Sequence, residues 1–141
     1  MRVETRARAR ALQALYAWDV RGAGTEGNAA LERVAEHVWD DLVIPPPVRE
    51  RAWQLIRTVN ADGRSIDAEL EDVTTNWRLE RLGAVERSIL RLGAAELQVG
   101  ETPPRVVVQE SVRLAERFAG EDSARFVNGV LDALARKLGK L

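Results

Sequence analysis

The chain has 141 residues, 45% hydrophobic and 30% charged, with a formal net charge of −1; that balance suits a globular chain with a sizeable core and excludes a disordered one. It has no cysteine, which excludes a disulfide framework, a thiolate metal site and a cysteine nucleophile, and the near-zero charge requires any nucleic-acid binding to come from a local basic patch. No apolar run is long enough to span a bilayer, and the opening MRVETRARAR lacks the apolar core of a secretory signal, so a cytoplasmic protein without membrane association is expected.

The first predicted helix runs from about Val3 to Arg21, with Leu12, Leu15 and Tyr16 on its apolar side and Trp18 at the margin. Its first turns carry Arg2, Arg6, Arg8 and Arg10 against Glu4 alone. Residues four apart stack along a helix, so Arg2, Arg6 and Arg10 share one side and Arg8 points elsewhere. Like charges at this spacing repel slightly. A solvated end accounts for them, but all four are Arg rather than Lys, and the guanidinium fork suits phosphates and base edges.

Gly22–Gly27 reads as a connection, and a second helix follows from about Asn28 to Leu42 through Leu31, Val34, Val38 and Leu42. His37 has no metal-ligand companions and reads as a surface or packing residue. Pro45, Pro46 and Pro47 form an extended stop. A third helix over Val48–Asn60 places Trp53, Ile56 and Val59 on its stripe, a turn follows at Asp62-Gly63, and Ile66–Val73 forms a short acidic helix. Asp67, Glu69, Glu71 and Asp72 have no partner base there and read as a solvated face.

The central helix is predicted over Asn76–Leu97, where Leu79, Leu82, Val85, Ile89 and Leu92 recur at helical spacing, with Asn76 as its cap. Gly83 and Gly93 are poor helix residues and point to close approach of neighbouring helices. Gly100 and Pro103-Pro104 end it. Thr102 then caps a helix bearing Val107, Val108, Val112, Leu114, Ala115 and Phe118. Gly120 closes that helix, and Asp122 or Ser123 caps the last, along which Phe126, Val127, Val130, Leu131, Leu134 and Leu138 repeat. Asn128-Gly129 would ordinarily mark a turn, but the apolar period continues in phase across it, so it reads as helix with a close or exposed contact at that point.

No sustained alternation of period two occurs. The expected fold is all-α, with about seven helices. The chain contains no P-loop, dinucleotide fingerprint, metal-ligand cluster or triad arrangement, so no enzyme, cofactor or metal is expected.

RARARALQALYAWD (Arg6 to Asp19), NWRLERLGAVERSILRLGAAEL and PRVVVQESVRLAERFAGEDSARFVNGVLD (Pro104 to Asp132) together resemble the bacterial transcription antitermination factor NusB family, in the family's order. The runs ERSILRLGAAEL and ARFVNGVLD are the most specific. The resemblance implies one helical domain of two packed halves, about 1–63 and 64–141. It implies binding to a boxA-type single-stranded RNA jointly with a small-subunit ribosomal protein, and an indirect action on the RNA polymerase complex at ribosomal RNA operons.

By the same resemblance, Arg6 and Arg8 fall in the arginine-rich start used on RNA, while Glu4 and Thr5 stand where a further Arg pair is expected; Arg2 and Arg10 are the candidates to compensate. Phe126 and Asn128 match the FVNG signature near the RNA, with Arg125 beside it, and Asp122 matches an acidic position that moderates phosphate binding. Glu86, Pro104 and Arg105 match the side facing the ribosomal protein. Physically, Arg supplies phosphate contact, Tyr16 or Phe126 an aromatic platform, and Asn128 a donor–acceptor pair for a base edge. The alternatives are the RNA-binding front of a ribosomal RNA methyltransferase, a poor fit without a cofactor-binding domain, a helical protein–protein adaptor without RNA contact, and a helix-turn-helix reader of duplex DNA. Whether the chain forms a homodimer is left open.

Overall fold

The computed structural model describes residues 2–21, 28–74 and 77–141. It holds six α-helices and a short 3-10 turn, with no strand among the described residues. The helices are α1 (Val3–Val20), α2 (Asn28–Trp39), α3 (Pro46–Val73), α4 (Ala84–Val99), α5 (Pro104–Phe118) and α6 (Glu121–Lys137). The chain divides into two compact units, Met1–Asp62 and Gly63–Leu141.

In the first unit α1 packs on α2. The α1 face is built largely of small residues: Ala7, Ala11 and Ala14 are buried beside Leu12 and Leu15. Small side chains let a second helix come close. Trp39 at the end of α2 is fully buried and its Nε1 donates to the Arg10 carbonyl at 3.2 Å, which satisfies the one polar atom of the indole. Trp53 meets it edge-to-face, with ring centroids 5.1 Å apart. The second helix stops at Trp39 rather than Leu42, leaving Val43 almost wholly exposed. The triple proline does not only stop one helix but begins the next. Pro46 and Pro47 occupy the first turn of α3, where a missing N–H costs nothing, and the Arg49 N–H donates to the Pro45 carbonyl at 3.0 Å.

The two segments expected on either side of Asp62-Gly63 form a single kinked α3. Asp62 alone leaves helical geometry (φ −110°, ψ 17°), so the expected turn is a kink. The acidic end of α3 is not simply solvated. Asp67 accepts two bonds from Arg91 of α4, at 2.9 and 3.2 Å, Lys137 of α6 pairs with Asp72, and Glu71 accepts the Leu79 N–H at 3.1 Å. These carboxylates fasten α3 to the helices after it.

The central helix starts at Ala84, well after its expected beginning; its expected cap Asn76 lies outside the described residues. Leu79–Arg81 forms the 3-10 turn and Gly83 is the true N-cap, extended at φ −62°, ψ 149°. Leu79 is still buried, so its apolar period serves packing without requiring an α-helix. The carbonyls freed by this irregular entry are gathered by one side chain. Arg87 Nη1 donates to those of Leu79, Glu80 and Leu82, at 3.2, 3.3 and 2.7 Å.

The two glycines expected to mark close approach divide. A Cβ at Gly93 would stand 2.7 Å from Leu131 Cδ1 and 2.9 Å from Ser111 Oγ, so α4, α5 and α6 close around that position. At Gly83 the nearest such atom is 3.5 Å away, an ordinary contact. Around Gly93 the second unit's core gathers Ile89, Leu90, Leu92, Val107, Leu114, Val127, Leu131 and Leu134, all buried.

Two expected caps differ. Pro103, not Thr102, precedes the first turn of α5, and Gly120, not Asp122 or Ser123, precedes α6. Gly120 has φ 109°, a backbone region closed to most side chains, and its N–H reaches back to the Ala115 carbonyl at 2.8 Å. Asp122 lies in the first turn of α6, where a carboxylate favours the positive end of the helix dipole. Asn128-Gly129 is helical, and a Cβ at Gly129 would meet nothing within 4 Å.

Candidate nucleic-acid interface

Each unit carries one group of the candidate side chains. On α1, Arg2 and Arg6 are exposed, and no ion pair engages either among the described residues. Arg10 is half-buried and its guanidinium donates to Gln13 at 3.2 Å. Arg8 does not share this surface. It is 3% exposed and engaged by other groups. The reason is helical phase: Arg8 stands four residues before Leu12 and seven before Leu15, on the buried face. Glu4, where a further basic residue was expected, is bound by Arg51 of α3 at 2.9 Å. The acid is therefore partly neutralised within the unit, leaving Arg2 and Arg6 as the open cations of this end.

Tyr16, expected on the apolar side, is 44% exposed and so available as an aromatic surface. It occupies the same helix as the arginines, two to four turns further on.

On α6, Asp122, Arg125, Asn128 and Gly129 all face outward and are exposed. Asp122 and Arg125, one turn apart, form an ion pair in solvent. Asn128 keeps both a donor and an acceptor at the surface. Phe126 is half-buried and meets Trp77 edge-to-face, with centroids 6.4 Å apart at 80°. Trp77 carries no expected role, because it falls within the expected first turn of the central helix. A signal is present all the same: its neighbours three and four residues on are Glu80 and Arg81, so a helix would give this indole no apolar companion.

The residues matched to a protein partner do not form one tight patch. Glu86 is half-buried in the first turn of α4, with Oε1 close to Gly83. Pro104 and Arg105 open α5, beyond the far end of α4. At 1.5 Å per residue, α4 separates them by about 20 Å. Beside Arg105, Val106 is 37% exposed. Phe118, assigned to the apolar side of α5, is also 45% exposed, with the Arg117 guanidinium 4.8 Å from its ring. Among the described residues no group of three His, Asp or Glu could hold a metal ion, and no helix is long and apolar enough to cross a membrane.

Comparison with known proteins places this arrangement. Residues 5–136 match the NusB family. The transcription antitermination protein NusB of an Anaeromyxobacter species is 42% identical over 135 residues, covering 95% of this chain and 90% of the relative. The solution structure of NusB from Aquifex aeolicus superposes with a TM-score of 0.76 at 36% identity, covering 96% of this chain and 89% of that one. A crystal structure of the antitermination factors NusB and NusE in complex with double-stranded RNA includes a chain that matches with a TM-score of 0.81 at 32% identity, covering 97% and 98%. The chain belongs to the NusB family.

Proposed function

We propose that this protein is a cytoplasmic, non-enzymatic transcription antitermination factor. It binds boxA-type single-stranded RNA together with a small-subunit ribosomal protein, and acts on the RNA polymerase complex through that assembly. The observation that carries the reading is the pair of exposed guanidinium groups, Arg2 and Arg6, on a chain of net charge −1. Unpaired surface cations attract a phosphate backbone and release its counterions. A near-neutral chain whose basic patch is only local binds RNA weakly and with marked salt dependence, so a basic ribosomal partner that extends the positive surface is a physical complement. Asn128 and the aromatic side chains of Tyr16 and Phe126 add contacts that recognise bases rather than phosphates.

The test is one titration series with a boxA-type single strand, duplex RNA and duplex DNA, each with and without the ribosomal protein. The reading expects the single strand to bind best and the partner to tighten it. Equal, salt-insensitive indifference to all three nucleic acids, with the ribosomal protein still bound, would leave a protein–protein adaptor. In the same series Glu86→Lys should slow association with the ribosomal protein and leave RNA binding by the chain alone unchanged.

A further inference from the structure

We infer that Trp77 is a stacking platform for an unpaired RNA base, with Phe126 as its lateral support. The indole is 57% exposed, yet its backbone is held in place on several sides. Its N–H donates to the Thr74 carbonyl at 3.2 Å. Two residues on, the Leu79 N–H is fixed by Glu71, and Arg87 gathers the carbonyls of Leu79, Glu80 and Leu82. Thr74 itself is buried, with its hydroxyl donating to the Leu70 carbonyl at 2.8 Å. A large aromatic held open on a pinned segment is prepared for contact, because its ordering cost is met before binding.

The ring geometry leaves room for a ligand. In an edge-to-face pair one ring offers an edge, so of the four ring faces at most one is covered by the pair itself. The chain around the indole is polar: Arg78, Glu80 and Arg81 are exposed, as are Asp122 and Arg125 before Phe126. A protein-binding hot spot is ordinarily an aromatic anchor within an apolar, water-excluding surround. A flat aromatic in such a polar surround instead fits a base, because every base has a π-face; Arg78 and Arg125 are paired with Glu80 and Asp122, and Arg81, with no ion pair among the described residues, can meet the phosphate.

This inference rests on the RNA-binding reading, and the experiment separates the two. The affinity of a short boxA-type single strand is measured against salt for the unaltered chain, Trp77→Ala, Trp77→Phe and the Arg2→Ala/Arg6→Ala double variant. Stacking on one base corresponds to about fivefold to 150-fold in affinity. Trp77→Ala should lose about tenfold or more with the salt slope unchanged, because every cation that meets a phosphate is still in place. Trp77→Phe should recover most of the loss. RNA should also quench the tryptophan emission of the unaltered chain, and that quench should vanish in Trp77→Phe, a variant that keeps an aromatic ring and so protects the test from a folding defect. Unchanged affinity and quenching in the Trp77 variants, with the arginine pair still weakening binding, would overturn the platform and leave the RNA reading standing. Loss of ribosomal-protein binding alone would assign Trp77 to that partner and overturn the inference. Absence of RNA binding by the unaltered chain would bring down both.

Discussion

Helices α1 and α6 both present arginines to solvent, but they present them differently. On α1, Arg2 and Arg6 project from the surface without an ion pair among the described residues, while Arg8 is inside. On α6 the exposed cations are matched: Arg125 with Asp122 and Arg136 with Asp132 at 2.9 Å along the helix itself, and Lys137 with Asp72 of α3. An unpaired cation attracts phosphate at a distance and is screened by salt. A matched one contributes little net field, so α6 depends on shape, stacking and hydrogen bonding. Under the proposed function, the contrast predicts a salt-sensitive contribution to RNA binding from α1 and a salt-tolerant one from α6.

The largest break in that contrast should come from Arg8→Ala. Removing a buried, engaged guanidinium leaves its partners uncompensated, at a cost on the order of 3 kcal/mol. Urea unfolding should show this as a clear drop in midpoint, whereas Arg6→Ala should leave the midpoint almost unmoved. Next in size is the Arg2→Ala/Arg6→Ala pair. It should keep the helical circular dichroism and reduce the magnitude of the RNA salt slope by about 1.4, at about 0.7 for each phosphate no longer neutralised. An unchanged slope would place the salt-sensitive contribution elsewhere.

A smaller effect is expected from Asp122→Asn, which releases Arg125 from its ion pair. RNA affinity should rise by about twofold to fivefold, the scale of an exposed charge contact, and the gain should fade at high salt. In terms of the contrast, this variant makes α6 behave more like α1. The smallest effect is that of Gly129→Ala. With open space where a Cβ would stand and helical backbone, the change should stabilise the fold by about 0.5–1 kcal/mol. Thermal unfolding would register this as a rise of about 2–4 °C or less. A fall in stability would mean that the α6 surface is less open than its geometry.

The all-helical architecture is legible in the sequence because apolar residues recur with one period throughout, and the in-phase run across Asn128-Gly129 correctly outweighs a local turn signal. Gly93 is legible for the same reason, since a glycine on a strong buried face implies a neighbour that needs the space. The spacing among the arginines already turns Arg8 away from Arg2, Arg6 and Arg10; only the resemblance sets it beside Arg6, and its burial follows from its phase against Leu12 and Leu15. Trp77 is hidden because the leucine period around it implies helix. Leu79 shows that burial can be satisfied by a 3-10 turn whose carbonyls a distant side chain, Arg87, collects. Nothing local to residues 77–83 announces that side chain. The ion pairs of α3's acidic end are illegible for a related reason: Asp67 and Asp72 find their cations 24 and 65 residues away.

The corner at Gly120 sets a rule about chain length. Only Ala119 and Gly120 separate α5 from α6, and the N–H of each is already bound to the Ala115 carbonyl, at 2.8 Å. No slack remains between the two helices. A deletion here would have to be met by α6 itself, which would give up its first residue to the corner or shift toward α5. Such a shift would disturb the fit of Leu131 beside Gly93. The corner should therefore be intolerant of a deleted residue, whereas an added one can be taken up by the loop.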